Sequence, residues 1–172
     1  MNFRMNRIIL ILISIFICQA LQAQDEFTMA KKGSPVPAFQ FEIAPSVVKN
    51  ISDYQGKVIL ITFFATWCGP CRQELPHIEK EIYQKYTTNR DFALLIFGRE
   101  HDWAAVDKFK ADQQFTMPLY PDPERKIFSK FAGQNIPRNF LVNRDGKIIF
   151  SSVGFNENEF GRLKKEIEKA LK

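Results

Sequence analysis

Lys57-Val58-Ile59-Leu60-Ile61-Thr62-Phe63-Phe64-Ala65 runs through Thr66 into Trp67-Cys68-Gly69-Pro70-Cys71, and the segment from Arg72 to Tyr86 that follows has helical spacing and abundant helix formers. After Lys57 the first run carries no charge and does not alternate, as expected of a central parallel strand buried on both faces. Pro70 suits the first turn of a helix, where its missing N–H costs no bond. A strand therefore delivers two cysteines to a helix N-terminus. Free N–H groups and the positive dipole end stabilise an anion there, and the thiolate is the nucleophile of thiol–disulfide exchange. Cys68, just ahead of the helix, is expected to attack a partner's disulfide. Cys71, one turn further in, is expected to be more buried and to resolve the mixed disulfide, while Gly69 lets a partner chain come close to the sulfur.

Glu74 lies three residues beyond Cys71 and so on the same helical face. If that face is buried, its carboxyl keeps a raised pKa and can take the proton of Cys71; a glutamate of the exposed first turn, held by the dipole, fits the spacing equally well. His77 falls on the opposite side and reads as helix surface, and Pro76 should kink the helix one turn after Cys71. Phe92 to Phe97 is a second apolar strand, which makes strand, helix and strand a right-handed βαβ unit. Before it, Phe39, Phe41 and Ile43 alternate with polar residues as a half-buried strand that residues 47–51 can pair with, and 52–56 read as a turn closed by Gly56. After it come a helix over 102–114, a short strand over 117–120 and a helix over 123–131. A hairpin then joins 139–142 to 147–150 across Asn143-Arg144-Asp145-Gly146, and a lysine-rich amphipathic helix closes the chain from Glu157 to Leu171.

The 172 residues, 45% hydrophobic with 17 phenylalanines, suit one domain with a proper core. Residues 1–23 read separately, as a secretory signal peptide: Arg4 and Arg7, then the apolar run Ile8 to Cys18, then a small-residue end, with cleavage after Ala23 or Ala20. That run would span roughly 17 Å as a helix, short of the roughly 30 Å hydrocarbon core, so a membrane or lipid anchor is the weaker reading. Residues 24–36 read as a flexible lead-in and 37–172 as the domain. Without residues 1–23, 22 basic and 19 acidic residues remain, a balance that argues against a nucleic-acid partner. Only Cys68 and Cys71 remain as well. Two cysteines three apart close too short a loop to matter for stability, and a zinc site would need four ligands where His77 and His101 are the only histidines. No metal or cofactor is expected beyond a redox-active Cys68–Cys71 disulfide.

The segment Phe63-Phe64-Ala65-Thr66-Trp67-Cys68-Gly69-Pro70-Cys71-Arg72-Gln73-Glu74-Leu75-Pro76 resembles the active-site segment of the thioredoxin superfamily, and most closely its secreted TlpA/ResA-like thiol–disulfide oxidoreductases. The resemblance covers roughly residues 35–171. It implies a thioredoxin-like α/β fold: a central mixed sheet flanked by helices, an N-terminal β-hairpin extension, and an inserted helix–strand unit over 98–136. Pro137 matches the cis-proline that faces the disulfide, with the Ile136 backbone presented to a bound chain. Glu74 matches the glutamate this branch keeps near its cysteines, and Thr62 stands where cytoplasmic thioredoxins have a buried aspartate. Gly154-Phe155 is similar to a loop that, with Trp67, Gly69, Pro70, Ile136 and Pro137, forms the substrate groove. Asn139 stands where relatives often have threonine after the cis-proline, and Arg138 adds a charge beside that groove; both departures bear on substrate choice.

The implied activity is reduction of disulfides in secreted or periplasmic proteins, apocytochrome c among them, by a monomer fed from a membrane thiol–disulfide carrier. Two other readings compete. One is a thiol peroxidase of the peroxiredoxin type, prompted by Pro118-Leu119-Tyr120-Pro121-Asp122; the other is a binding module whose disulfide is inert.

Overall fold

The computed structural model describes residues 26–172. Everything read above as a signal peptide lies outside the described residues. The apolar runs form the inner strands: β1 (Gln40–Ala44) and β2 (Val47–Asn50) make a separate antiparallel hairpin, and β3 (Val58–Phe64) carries the first run, buried at every position. A 3-10 turn over Ile51–Tyr54 joins β2 to β3, and Gly56 leaves it at φ +83°, a conformation that favours glycine.

The main helix begins as α1 (Gly69–His77), passes through a π-helical turn over Ile78–Tyr83 and ends with Gln84–Tyr86. Pro76 lies immediately before the change. With no N–H at Pro76 the regular ladder is interrupted, and the next turn closes with wider bonds such as Gln84 N–H to the Glu79 carbonyl. Next come β4 (Phe92–Arg99), α2 (Trp103–Asp112, capped by Asp102), β5 (Tyr120–Asp122), α3 (Phe128–Phe131), β6 (Arg138–Val142), β7 (Ile148–Val153) and α4 (Glu157–Leu171).

The five strands of the main sheet run in the order β5-β4-β3-β6-β7. β3 is parallel to β4 and antiparallel to β6, which makes the sheet mixed. Because successive residues of β3 face opposite sides, Val58, Leu60 and Phe64 pack under α1, α2 and α4, with Leu75, Ile78, Val106, Leu163 and Ile167. Ile59, Ile61 and Phe63 face the β1–β2 hairpin and α3, where Phe39, Phe41, Phe97, Phe128, Phe131 and Phe140 make a cluster of tilted and edge-on rings. Phenylalanine serves the other face as well, where Phe64, Phe92, Phe109, Phe150 and Phe160 are buried under the helices.

Three expectations are corrected. Residues 26–36 are not a free tether. Thr28 bridges to Ala132, Met29 and Ala30 N–H both donate to the Phe131 carbonyl, Pro35 bridges to Lys147, and Ala30 is buried. Backbone polar groups of this segment are satisfied by α3 and β7. The strand expected over 117–120 is formed by Tyr120–Asp122, since the chain at Met117 is held by another element: Glu79 of the π turn accepts Thr116 and Met117 N–H. The helix expected over 123–131 shrinks to Phe128–Phe131 because the Asp122 carboxylate captures the N–H groups of Ile127 and Phe128 at its start.

Candidate active site

β3 ends at Phe64, and the chain turns through Thr66 and Trp67 before α1 begins. Cys68 is the N-cap of α1, and its sulfur accepts the Cys71 N–H at 3.2 Å. Cys68 and Cys71 are joined as a disulfide. Cys71 is fully buried, whereas Cys68 lines an open cavity of about 640 Å³ together with Trp67, Gly69, Pro70 and Ile136. Trp67 is 62% exposed. A Cβ at Gly69 would meet no atom within 4 Å, so the approach to the Cys68 sulfur is open over this residue.

On the far side of the cavity the chain enters β6 through Ile136 and Pro137, whose peptide bond is cis. The Ile136 carbonyl oxygen is 3.7 Å from the Cys68 sulfur. The disulfide sulfur has no proton, so this is a contact now and an acceptor for the thiol once the pair is reduced. Pro137 sits behind Ile136, with its carbonyl accepting the Gly154 N–H at 2.9 Å; Gly154 is at φ +72°. Phe155 does not line the cavity. It packs on His77 and Phe160 instead, and His77, whose Nδ1 is 2.8 Å from Glu81 Oε1, is half-buried between these rings and not plain helix surface.

The turn carrying Trp67 is fixed from the loop after β4. The Thr66 N–H donates to His101 Nε2 at 2.9 Å, and His101 Nδ1 is 3.0 Å from the Glu100 carbonyl oxygen. With an acceptor on one side and a donor on the other, the ring is the neutral tautomer protonated at Nδ1. Gly98 makes room for it: a Cβ there would lie 2.8 Å from Val106 Cγ1 and 3.2 Å from His101 Cβ. No periodicity or spacing marks His101 for this task, because the contact joins two loops 35 residues apart.

Glu74 is 2% exposed, on the face of α1 that looks onto the sheet. Its Oε1 accepts from Asn139 Nδ2 at 2.6 Å, and Asn139 Oδ1 accepts from Thr62 Oγ1 at 2.7 Å. The paired register Thr62–Asn139 between β3 and β6 builds this chain of contacts. Glu74 Oε2 is buried with no hydrogen-bond partner among the described residues. Burial pushes the Glu74 carboxyl up to about 7, and the bond from Asn139 only partly opposes it. The carboxyl therefore titrates near neutral pH on the buried face of the cysteine helix and not in an exposed first turn.

Arg138 is the clearest departure from expectation, for it does not stand beside the groove. Asn139 points under α1 into the Glu74 contact, and Arg138, its neighbour in the strand, points to the opposite face and is fully buried. Arg138 Nε donates to the carbonyls of Gln134 (2.8 Å) and Asn135 (3.1 Å), and Nη1 donates to Thr28 Oγ1 at 2.6 Å. It thereby ties down the loop that presents Ile136. Arg138→Met should leave these acceptors unpaired and cost about 3 kcal/mol. Urea unfolding should show a lower midpoint at unchanged slope; a wild-type midpoint would mean that the loop is held by other contacts.

Residues 31–171 match the redoxin family model. The chain belongs to the redoxin family. Among curated relatives it is 27% identical to the thiol–disulfide oxidoreductase ResA of Bacillus thuringiensis subsp. konkukian, over 97% of this chain and 96% of that one. It is 25% identical to ResA of Bacillus subtilis over 69% of this chain and 65% of that protein. Among solved structures, a candidate protein disulfide isomerase from Bacteroides thetaiotaomicron superposes with TM-score 0.80 at 36% identity, covering 84% of this chain and 92% of that one. A candidate thiol:disulfide interchange protein DsbE from Chlorobium tepidum does so with TM-score 0.73 at 28% identity, over 83% and 99%. This redoxin is a ResA/TlpA-like oxidoreductase of the thioredoxin superfamily, with Cys68 and Cys71 as its Cys-x-x-Cys pair. Residues 118–122, which prompted the peroxidase reading, run into edge strand β5, where Asp122 caps the segment leading to α3. Among the described residues no group of three or more His, Cys, Asp or Glu could hold a metal ion, and no helix is long and apolar enough to cross a membrane.

Proposed function

We propose that this redoxin reduces disulfides of proteins outside the cytoplasm, acting as a monomer recharged by a membrane thiol carrier. The observation that supports this best is the asymmetry of the cysteine pair. One sulfur opens to a cavity beside the Ile136 backbone carbonyl, and the other is sealed on the helix face shared with a buried carboxyl that titrates near neutrality.

In the reduced protein Cys68 is the nucleophile, its anion stabilised by the Cys71 N–H and the positive end of α1. It attacks one sulfur of the substrate disulfide. The substrate S–S bond breaks, a mixed disulfide forms at Cys68, and the departing thiolate takes a proton from solvent. An extended substrate segment lies along Ile136, held by its backbone and by Trp67 and Pro70. Glu74 then accepts the proton of Cys71, whose sulfur attacks Cys68. The mixed disulfide breaks, the second substrate sulfur leaves as a thiolate that is protonated from solvent, Glu74 gives its proton back to solvent, and the protein retains the two-electron oxidised Cys68–Cys71 disulfide. Residues 1–23, with the pattern of a secretory signal, support the location, and the Gly69-Pro70 dipeptide supports the reducing direction.

The direction is tested by equilibration against glutathione redox buffers. A midpoint near the roughly −270 mV of thioredoxin is expected; one near the roughly −120 mV of strong periplasmic oxidants would reverse the assignment.

A further inference from the structure

Two arginines share the cavity with Cys68. Arg99 ends β4, Arg125 lies between β5 and α3, and both line the open space bounded by Trp67, Cys68 and Ile136. Their guanidinium groups flank one ring, lying 5.2 Å (Arg99) and 5.3 Å (Arg125) from the centroid of Phe128, and Arg99 also lies 5.5 Å from the Trp67 ring. Trp67 and Phe128 therefore hold the cations at the cavity wall through their ring faces.

These charges are poorly neutralised. Among the described residues the carboxylate paired with them is Glu100, with Oε2 3.4 Å from Arg99 Nη2 and Oε1 3.4 Å from Arg125 Nη1, longer than a well-formed charge-assisted bond of about 2.7–2.9 Å. Arg125 Nη2 also donates to the Gly133 carbonyl at 2.8 Å. The Nε of each arginine is buried with no hydrogen-bond partner among the described residues. The Arg99 side chain is only 13% exposed. None of the described acidic residues lines the cavity, and the N-terminal turn of α1 opens onto it through Gly69 and Pro70. Glu100 and Asp122, whose carboxylate is attracted to Arg125 but accepts from the Ile127 and Phe128 N–H groups, both lie off the cavity lining, so the two partly desolvated guanidinium groups and the helix N-terminus present a positive field beside the reactive sulfur.

We infer that this cavity is a subsite for a carboxylate carried by the disulfide substrate next to its cysteine. A planar carboxylate can pair with a guanidinium fork, whereas a lysine-flanked disulfide would meet two like charges. This rests on the exchange reading above and adds to it a substrate class: disulfides with acidic neighbours. If the arginines served only to tie down Glu100 and the 133–136 loop, the rate would not depend on substrate charge.

The experiment measures reduction by the reduced protein of three disulfide peptides that differ only in the residues flanking cysteine (Glu, Gln or Lys), and of oxidised glutathione, with acid-quenched chromatography as the readout. At low ionic strength the Glu peptide should react about tenfold faster than the Gln peptide and the Lys peptide slower still, with the spread narrowing in 0.5 M salt. In Arg99→Gln/Arg125→Gln the Glu-to-Gln rate ratio should fall to about one. The ratio should persist in part in Arg99→Lys/Arg125→Lys, and in full in Lys108→Gln on the exposed face of α2. Glutathione reduction that falls in the Gln double variant places a small disulfide among the ligands; dependence confined to the Glu peptide restricts the site to protein chains. Either supports the subsite. Equal rates for the three peptides, or a Glu preference that survives removal of both arginines, would overturn it while leaving disulfide exchange intact. Failure to reduce any of the four would instead overturn the exchange reading.

Discussion

Glu74→Gln is expected to slow turnover about 100-fold at pH 7, with the loss confined to the step in which Cys71 attacks the mixed disulfide. A carboxyl titrating at about 7 can be both present as base and strong enough to deprotonate a thiol, whereas an amide cannot be a base at all. Stopped-flow measurement with a neutral disulfide should show formation of the mixed disulfide unchanged within about twofold, and its resolution both slow and stripped of the inflection near pH 7. Equal slowing of both steps would mean that the substitution disturbs the helix and not the proton transfer.

The same substitution has a stability signature whose sign is fixed by linkage. In the unfolded chain the carboxyl ionises near its ordinary 4.5; in the oxidised folded protein burial holds it protonated to about 7. Between these values the folded state binds more protons, so stability falls as pH rises through the window and the penalty is complete above about pH 7. The difference amounts to about 3 kcal/mol. Oxidised wild type should therefore lose about that much between pH 4.5 and 8 relative to Glu74→Gln, whose stability should be flat over the window where Glu74 is concerned. Parallel pH profiles of the two proteins would refute a buried carboxyl with a raised pKa.

Cys68→Ser is expected to abolish exchange, by about a thousandfold or more, and to be worse than any other single change. Only Cys68 lines the cavity, and Cys71 is fully buried, so the remaining thiol cannot be reached by a protein disulfide. In the reduced wild type an alkylating reagent should accordingly modify Cys68 first. Comparable labelling of both thiols would show that the cysteine helix opens far more than its packing suggests.

How far the sequence carried can be seen in particular residues. The uncharged run 57–65 and the cysteines after it announced β3 and the N-terminus of α1, because a strand buried on both faces and a helix capped by Cys68 both leave local marks. The hairpin of β6 and β7 and helix α4 were legible for the same reason. Glu74 could be placed on the face of Cys71 by counting, but whether that face was buried depended on β6, 65 residues away. Arg138 is not where the sequence suggests because alternation in a strand says that neighbours part company and not which layer each meets. The parity that puts Leu141 under α1 would also have put Asn139 there. Residues 26–36 looked unstructured since their partners, Phe131 and Lys147, are distant in sequence and their own composition is polar. His101, Arg99 and Arg125 carry no local signal; they meet the site from the end of β4 and from loops distant in sequence.

The central claim is that Cys68 attacks and Cys71 resolves. It is tested most directly by incubating reduced Cys71→Ser with a disulfide peptide and taking the intact mass. A stable adduct of one protein and one peptide half, mapped to Cys68 and released by dithiothreitol, is the predicted result. Rapid release of free peptide thiols with no adduct, or an unreacted Cys68, would contradict it.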